Sequence, residues 1–261
     1  MLSGATRERL AADLARAEHS AIAMAPLTSG HPEMDVVDAY EIQLINIRQR
    51  LAAGARVVGH KVGLSSKAMQ AMMGVDEPDY GHLLEDMLVR EDEPVPAGRY
   101  LYPRVEVEVA FILAEDLPGA ECTVEDVLAA TAAVAPAIEL IDSRIVDWSI
   151  GLCDTIADNA SSAGYVLGEQ RVAPADIDIA GVDAVLTRNG ETVAQGRSDA
   201  VLGDPAIAVA WLARKVADFG VRLRAGDIVL PGSCTRAIDA RPGDEFVAHF
   251  GGLGTVGLTF E

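Results

Sequence analysis

Glu106 and Glu108 lie in the stretch RVEVEVAF, residues 104–111, alternating with Val105, Val107 and Val109. Side chains alternate across a strand, so both carboxylates point one way and the valines the other. A half-exposed strand with a solvated acidic face fits that pattern. A pocket edge fits it too, because the same face continues into Ala110 and Ile112. Two buried carboxylates one pleat apart repel, and one must keep its proton unless a cation sits between them. A hard divalent ion, Mg²⁺ or Mn²⁺, removes that conflict and prefers oxygen ligands. A third carboxylate is then expected from a neighbouring strand. Glu139, inside the apolar AIELID, is an odd place for a charge without a partner. Asp142 competes, but three residues further on it faces the other side of an extended strand. Spacing alone leaves the solvated and the metal-binding readings open.

Other residues admit two readings as well. Lys61, in GHKVGL, is either a lysine whose head reaches solvent from a strand end or a proton carrier and anion clamp tuned by partial burial. His60 points to the opposite face and reads as structural. Asp79 lies in DEPDYG among Asp76, Glu77 and Glu85, where a solvated acidic loop is the default. ADNASS, residues 157–162, gathers Asp158, Asn159, Ser161 and Ser162. Such clusters mostly form turns and caps, but they can also present hydroxyls and N–H groups to a carboxylate. No nucleophile elbow, phosphate loop or dinucleotide fingerprint is present; GGLGTVG precedes a strand, not a helix.

The elements that must position these groups are legible from periodicity. Apolar residues at helical spacing predict helices over 5–24 and 33–53, joined by the turn-forming TSGHP. RVVGHKVGL, 56–64, reads as a strand, and SSKAMQAMMG as a short helix between capping serines and Gly74. VDEPDYGHLLEDM reads as an acidic loop. YPRVEVEVAFIL is the clearest strand, followed by a helix capped by Thr123 and a second strand, PAIELIDSR. DTIADNASSAGYVLG runs from polar loop into strand. Asn189-Gly190 predicts a tight hairpin. DPAIAVAWLARKVADFG is an amphipathic helix stopped by Gly220, and the tail is strand-rich. Helices scattered among strands after a helical N-terminal arm imply an α+β fold with a mixed, curled sheet.

Of 261 residues, 40 are acidic and 21 basic, a net charge of −19 that argues against nucleic-acid binding. The same field obliges any anionic substrate to find a local cation. Cys122, Cys153 and Cys234 are odd in number and isolated, suiting a reducing cytoplasm. The N-terminal segment is charged and helical, unlike a secretory leader, and no apolar run is long enough to span a membrane.

Together, KVGLSSKAMQAMMGVDEPDYGHLLEDM, PRVEVEVAFIL, PAIELIDSRIVDW and DTIADNASSAGYVLG resemble one family. They are similar to the 2-hydroxypenta-2,4-dienoate (2-keto-4-pentenoate) hydratases, in the hydratase and decarboxylase branch of the fumarylacetoacetate hydrolase superfamily. The resemblance covers nearly the whole chain and is densest between residues 59 and 168. It implies a single domain over 1–261, with a helical arm at 1–55 and a catalytic mixed β-sandwich roll at 56–261. It implies Mg²⁺ or Mn²⁺ on Glu106, Glu108 and Glu139. Lys61 falls on the family's active-site lysine and Asp79 on its acid/base aspartate, which reverses the loop default. Ser161 falls in the stretch lining the substrate site. The decarboxylases carry an apolar residue at the place of Asp79, which favours hydratase over 4-oxalocrotonate decarboxylase. Acylpyruvate-type hydrolases share the metal ligands but differ in flanking motifs. An inactive, partner-stabilising subunit would not need Lys61, Asp79 and all three glutamates intact. A small anionic 2-hydroxydienoate substrate, a homo-oligomer and association with a pathway decarboxylase or aldolase are implied by the same resemblance.

Overall fold

A computed structural model describes residues 1–261, save the side chains of Ala68, Met72 and Met73. In chain order its elements are α1 (Gly4–Ser20), α2 (Leu27–Gly30), α3 (Val36–Ala52), β1 (Val57–Gly63), α4 (Lys67–Met73), β2 (Asp79–Leu84), β3 (Arg104–Leu113), α5 (Val124–Ala130) and β4 (Thr131–Ile141). They continue as α6 (Leu152–Ala157), β5 (Ser162–Leu167), β6 (Asp183–Arg188), β7 (Glu191–Arg197), α7 (Pro205–Ala217), β8 (Ile228–Leu230), β9 (Ile238–Asp239), β10 (Glu245–Phe250) and β11 (Gly254–Thr259).

Local chemistry sets many of these boundaries. Ser3, Asp35, Thr123 and Asp204 accept backbone N–H groups at the starts of α1, α3, α5 and α7, and Pro205 opens α7 where no donor is needed. Asn189 and Gly190, with φ of 53° and 82°, make the tight turn between β6 and β7. The first helix stops at Ser20 because Ala21 turns left-handed.

Two sheets result. The larger runs β2-β1-β8-β3-β4-β5, with β9 added beside β3, and the smaller runs β11-β10-β6-β7. The pairing of β1 with β8 is parallel and its neighbours are antiparallel, so the larger sheet is mixed. It curls until its edges meet: Leu88, just beyond β2, bridges Tyr165 of β5. The smaller sheet packs on the outside of β4 through β10 and β11. This is the expected α+β roll with a helical arm.

The curl gives the larger sheet an outside and an inside. Val105, Val107 and Val109 face out and are fully buried in the main core. The inner face carries Lys61 and Gly63 from β1, Asp79 and Gly81 from β2, Glu106 and Glu108 from β3, and Glu139 from β4. One end of the interior is closed by a small apolar plug of Leu83, Ala110, Ala137, Tyr165 and Leu230. The carboxylates occupy the other end.

Two expectations about elements need correction. Residues 79–84 form strand β2, not loop, pairing with β1 so that Asp79 lies opposite Gly63. Its alternation was masked because its inward set, Asp79, Gly81 and Leu83, is mostly not apolar. The polar run before β5 is not loop throughout: residues 152–157 form α6, followed by a left-handed turn at Asn159, Ala160 and Ser161. Among the described residues, no helix is long and apolar enough to cross a membrane.

Candidate active site

Glu106 on β3 is directly paired with Glu139 on β4, and Glu108 lies two residues along on the same face. One carboxylate oxygen from each of the three lies within 4.8 Å of the others. Glu108 and Glu139 have no solvent exposure. Burial is the largest influence on all three: it pushes Glu106 up to about 7, Glu108 well above the ordinary range and Glu139 upward. The Lys61 ammonium opposes those rises, and repulsion among the carboxylates adds to them for Glu106 and Glu108.

Lys61 enters from β1, 2 % exposed, and not from a strand end. Its Nζ donates to the Ala160 carbonyl at 2.8 Å and lies 3.4 Å from Glu139 Oε2. Burial alone would drive off its proton, but Glu139, Asp79, Glu106 and Glu108 around it outweigh that and raise its pKa. Lys61 is therefore a cation. Asp79, 4 % exposed, sits across from Gly63, where a Cβ would collide with its Oδ1 and come within 3.1 Å of Lys61 Nζ. Gly63 thus leaves the space in which ammonium and carboxylate lie side by side. The Thr155 hydroxyl donates to Asp79 Oδ2 at 2.7 Å, while Oδ1 has no partner among the described residues.

The turn at 159–161 holds the other side. Three consecutive residues without glycine adopt φ of 53°, 49° and 57°, a conformation that costs each of them energy. It is pinned from both ends. Asn159 exchanges hydrogen bonds with the His82 backbone, accepting at 2.8 Å and donating at 2.9 Å. Asp158 accepts from the Arg144 backbone at 3.0 Å and pairs with its guanidinium. The turn aims the Ala160 carbonyl at Lys61 and sets Ser161 in the cavity wall. Within ADNASS, then, Asp158 and Asn159 brace the turn.

The cavity has a volume of about 400 Å³, and Lys61, Asp79, Glu106 and Ser161 are among its walls. Glu108 and Glu139 lie at its floor, within the same carboxylate cluster. Five of the six residues singled out from sequence carry charge, four negative and one positive. Glu108 Oε2 accepts from Gly232 N at 2.7 Å, but Glu108 Oε1 and both oxygens of Glu139 lack a hydrogen-bond partner among the described residues. Buried, unpartnered carboxylate oxygens are costly, and one ammonium does not balance four carboxylates. A divalent cation among Glu106, Glu108 and Glu139 would satisfy those oxygens, so the residues fit a metal.

Thr155, Arg104, Trp148 and Arg236 also line the cavity and were not singled out from sequence. Arg104 carried a usable signal, since it precedes Glu106 by two residues and so shares its face. Thr155 carried none, because its place depends on α6 docking beside β2.

The sequence pattern of the fumarylacetoacetate (FAA) hydrolase C-terminal family matches residues 53–261. A 2-keto-4-pentenoate hydratase of Paraburkholderia xenovorans (strain LB400) is 44 % identical over 255 residues, covering 98 % of this chain and 95 % of the relative. A 2-hydroxyhexa-2,4-dienoate hydratase of Comamonas testosteroni is 45 % identical, covering 95 % and 94 %. Among solved structures, a 4-oxalocrotonate decarboxylase from Pseudomonas putida G7, complexed with magnesium and adipate, superposes with a TM-score of 0.97. It is 34 % identical and covers 100 % of this chain and 99 % of its own.

Proposed function

The chain belongs to the fumarylacetoacetate (FAA) hydrolase C-terminal family, and on that premise we propose that it is a metal-dependent hydratase. It adds water to 2-hydroxypenta-2,4-dienoate or a close homologue, giving 4-hydroxy-2-oxopentanoate from the parent compound. The observation that carries this reading is the buried Lys61–Asp79 pair facing three carboxylates across one cavity. Full-length relatives named as hydratases support it.

Glu106, Glu108 and Glu139 would hold Mg²⁺ or Mn²⁺, which when bound supplies positive charge for the substrate's carboxylate and C2 oxygen. Net hydration has two parts: the dienol loses its O–H proton and gains one at C5, then water delivers hydroxyl to C4 and a proton to C3. Both parts need a proton carrier beside the carbon chain. Asp79 is assigned that role, since its Oδ1 is free while Thr155 holds Oδ2. Lys61, anchored on the Ala160 carbonyl, keeps positive charge next to Asp79 and orients it. The Ser161 hydroxyl offers a hydrogen bond to the substrate from the opposite wall. The apolar plug beneath the carboxylates keeps bulk water from entering behind them.

A decarboxylase reading has a specific support, the structural likeness to 4-oxalocrotonate decarboxylase. The ionisable Asp79 is what separates the two, because losing CO₂ needs no carboxylate positioned to add water. The test follows loss of dienoate absorbance with and without Mg²⁺ or Mn²⁺ while CO₂ is measured in parallel on 2-oxo-3-hexenedioate. Metal-dependent hydration without CO₂ is expected; CO₂ release without hydration overturns the assignment. The small anionic substrate, a homo-oligomeric state, a cytoplasmic setting in meta-cleavage catabolism and association with a pathway decarboxylase or aldolase are part of the same proposal.

A further inference from the structure

The cavity runs along the inner face of β3 and β4. Arg104 precedes Glu106 on β3, and its partner across the ladder is Ile141, just as Glu139 is the partner of Glu106. A two-residue step along a strand covers roughly 7 Å, so the space that begins at the carboxylates ends beneath Arg104 and Ile141, which both line it.

A third wall at that end comes from the segment after β8. Ser233 bridges Glu108, Cys234 N donates to the Val107 carbonyl at 2.8 Å, and Ile238 pairs with Val105. From Cys234 to Ile238 is four steps, whereas Val107 to Val105 is two. The surplus, Thr235, Arg236 and Ala237, arches away from β3 and lines the cavity. Arg236 Nη2 donates to the Val193 carbonyl at 3.0 Å. Arg104 Nε donates to Asp239 at 2.8 Å, and its guanidinium stacks 4.4 Å from the Trp148 ring, itself held by an Nε1 bond to the Tyr102 carbonyl. These contacts fix both guanidinium groups while using one nitrogen of each. Asp239 lies outside the cavity wall and is mostly exposed, so Arg104 is oriented by it more than neutralised.

Two braced arginines at the rim of one cavity stand out in a protein of net charge −19. Guanidinium groups pair with carboxylates by parallel, charge-assisted hydrogen bonds. We propose that the outer end of the cavity binds a second carboxylate, so that the preferred substrate is a 2-hydroxydienoate bearing an acid group at its far end. Ile141, Trp148 and Ile150 flank the carbon chain between the two charged ends. This rests on the hydratase reading for the orientation of the substrate, with its 2-hydroxy acid end at the glutamates.

The test compares 2-hydroxypenta-2,4-dienoate with 2-hydroxyhepta-2,4-diene-1,7-dioate in the Mg²⁺-loaded wild type, Arg236→Gln and Arg104→Gln. Adipate and hexanoate are titrated calorimetrically into the same three proteins. The wild type is expected to favour the dicarboxylate in kcat/KM, and adipate over hexanoate in Kd, by about tenfold or more, and either arginine variant to erase most of that preference. Equal preference in wild type and both variants overturns the proposal. Arg-dependent adipate binding without turnover of either dienoate leaves the second carboxylate site standing and removes the hydratase reading. Turnover of both dienoates without preference does the reverse.

Discussion

At the scale of single residues, the candidate site is a problem of unbalanced charge solved by placement. Glu108→Gln removes a charge with no alternative ligand nearby, so Mg²⁺ affinity measured by calorimetry should fall at least about 10- to 100-fold. Unchanged affinity would reject the three-glutamate assignment. Asp79→Asn keeps the shape and the Thr155 bond but not the basicity. It should lower kcat by about 10²- to 10⁴-fold in the dienoate absorbance assay with metal affinity retained. Thr155→Val removes one donor from a buried carboxylate and should lower kcat by about 5- to 100-fold, with Thr155→Ser restoring most of it. An effect on KM alone would show that Thr155 acts on binding and not through Asp79.

At the scale of elements, the site depends on how β2 and α6 are tied to the arm. Gln43 of α3 donates to the Tyr80 carbonyl at 3.0 Å and the Ile156 carbonyl at 2.6 Å, and its Oε1 meets His82 Nδ1 at 2.7 Å. One side chain thus joins three elements, two of which carry Asp79 and Thr155. Gln43→Met leaves both carbonyls and His82 buried without it, and should cost about 2–4 kcal/mol of stability by denaturant titration. Much of this architecture was legible in advance. β3 declared itself by alternation, α3 and α7 by helical spacing, and the β6–β7 hairpin by Asn189-Gly190. Residue spacing alone left the three glutamates open to two readings, and the family resemblance decided between them. β2 was illegible because its inward face is Asp-Gly-Leu, so the period of two shows only once β1 is placed beside it. The left-handed turn at 159–161 was illegible for another reason: no residue in it is glycine, and the clamps that hold it, His82 and Arg144, are distant in sequence.

At the scale of the whole molecule, two buried histidines link stability to pH. His60 contacts the His82 ring at a centroid distance of 5.0 Å, and its Nε2 is 4.0 Å from Asp227, too far for a hydrogen bond. Burial pushes His60 down to about 4 and His82 well below its ordinary value, with repulsion from His60 adding to the latter. Both are neutral when folded but take up protons near pH 6.5 when unfolded. Their contribution is therefore complete above about pH 6.5 and lost as pH falls towards 4, about 3 kcal/mol for His60 alone. His60→Asn should flatten the fall in denaturation midpoint over that window; an unchanged slope would assign the acid sensitivity elsewhere. The Gln43 tether also bears on inheritance. The family pattern begins at residue 53, ten residues after the glutamine that ties the roll to its arm. Chimeras that join the arm of one relative to the roll of another will work only where the glutamine on the arm meets matching carbonyls and a histidine on the roll. Arm and roll are therefore expected to change together when such genes recombine or diverge.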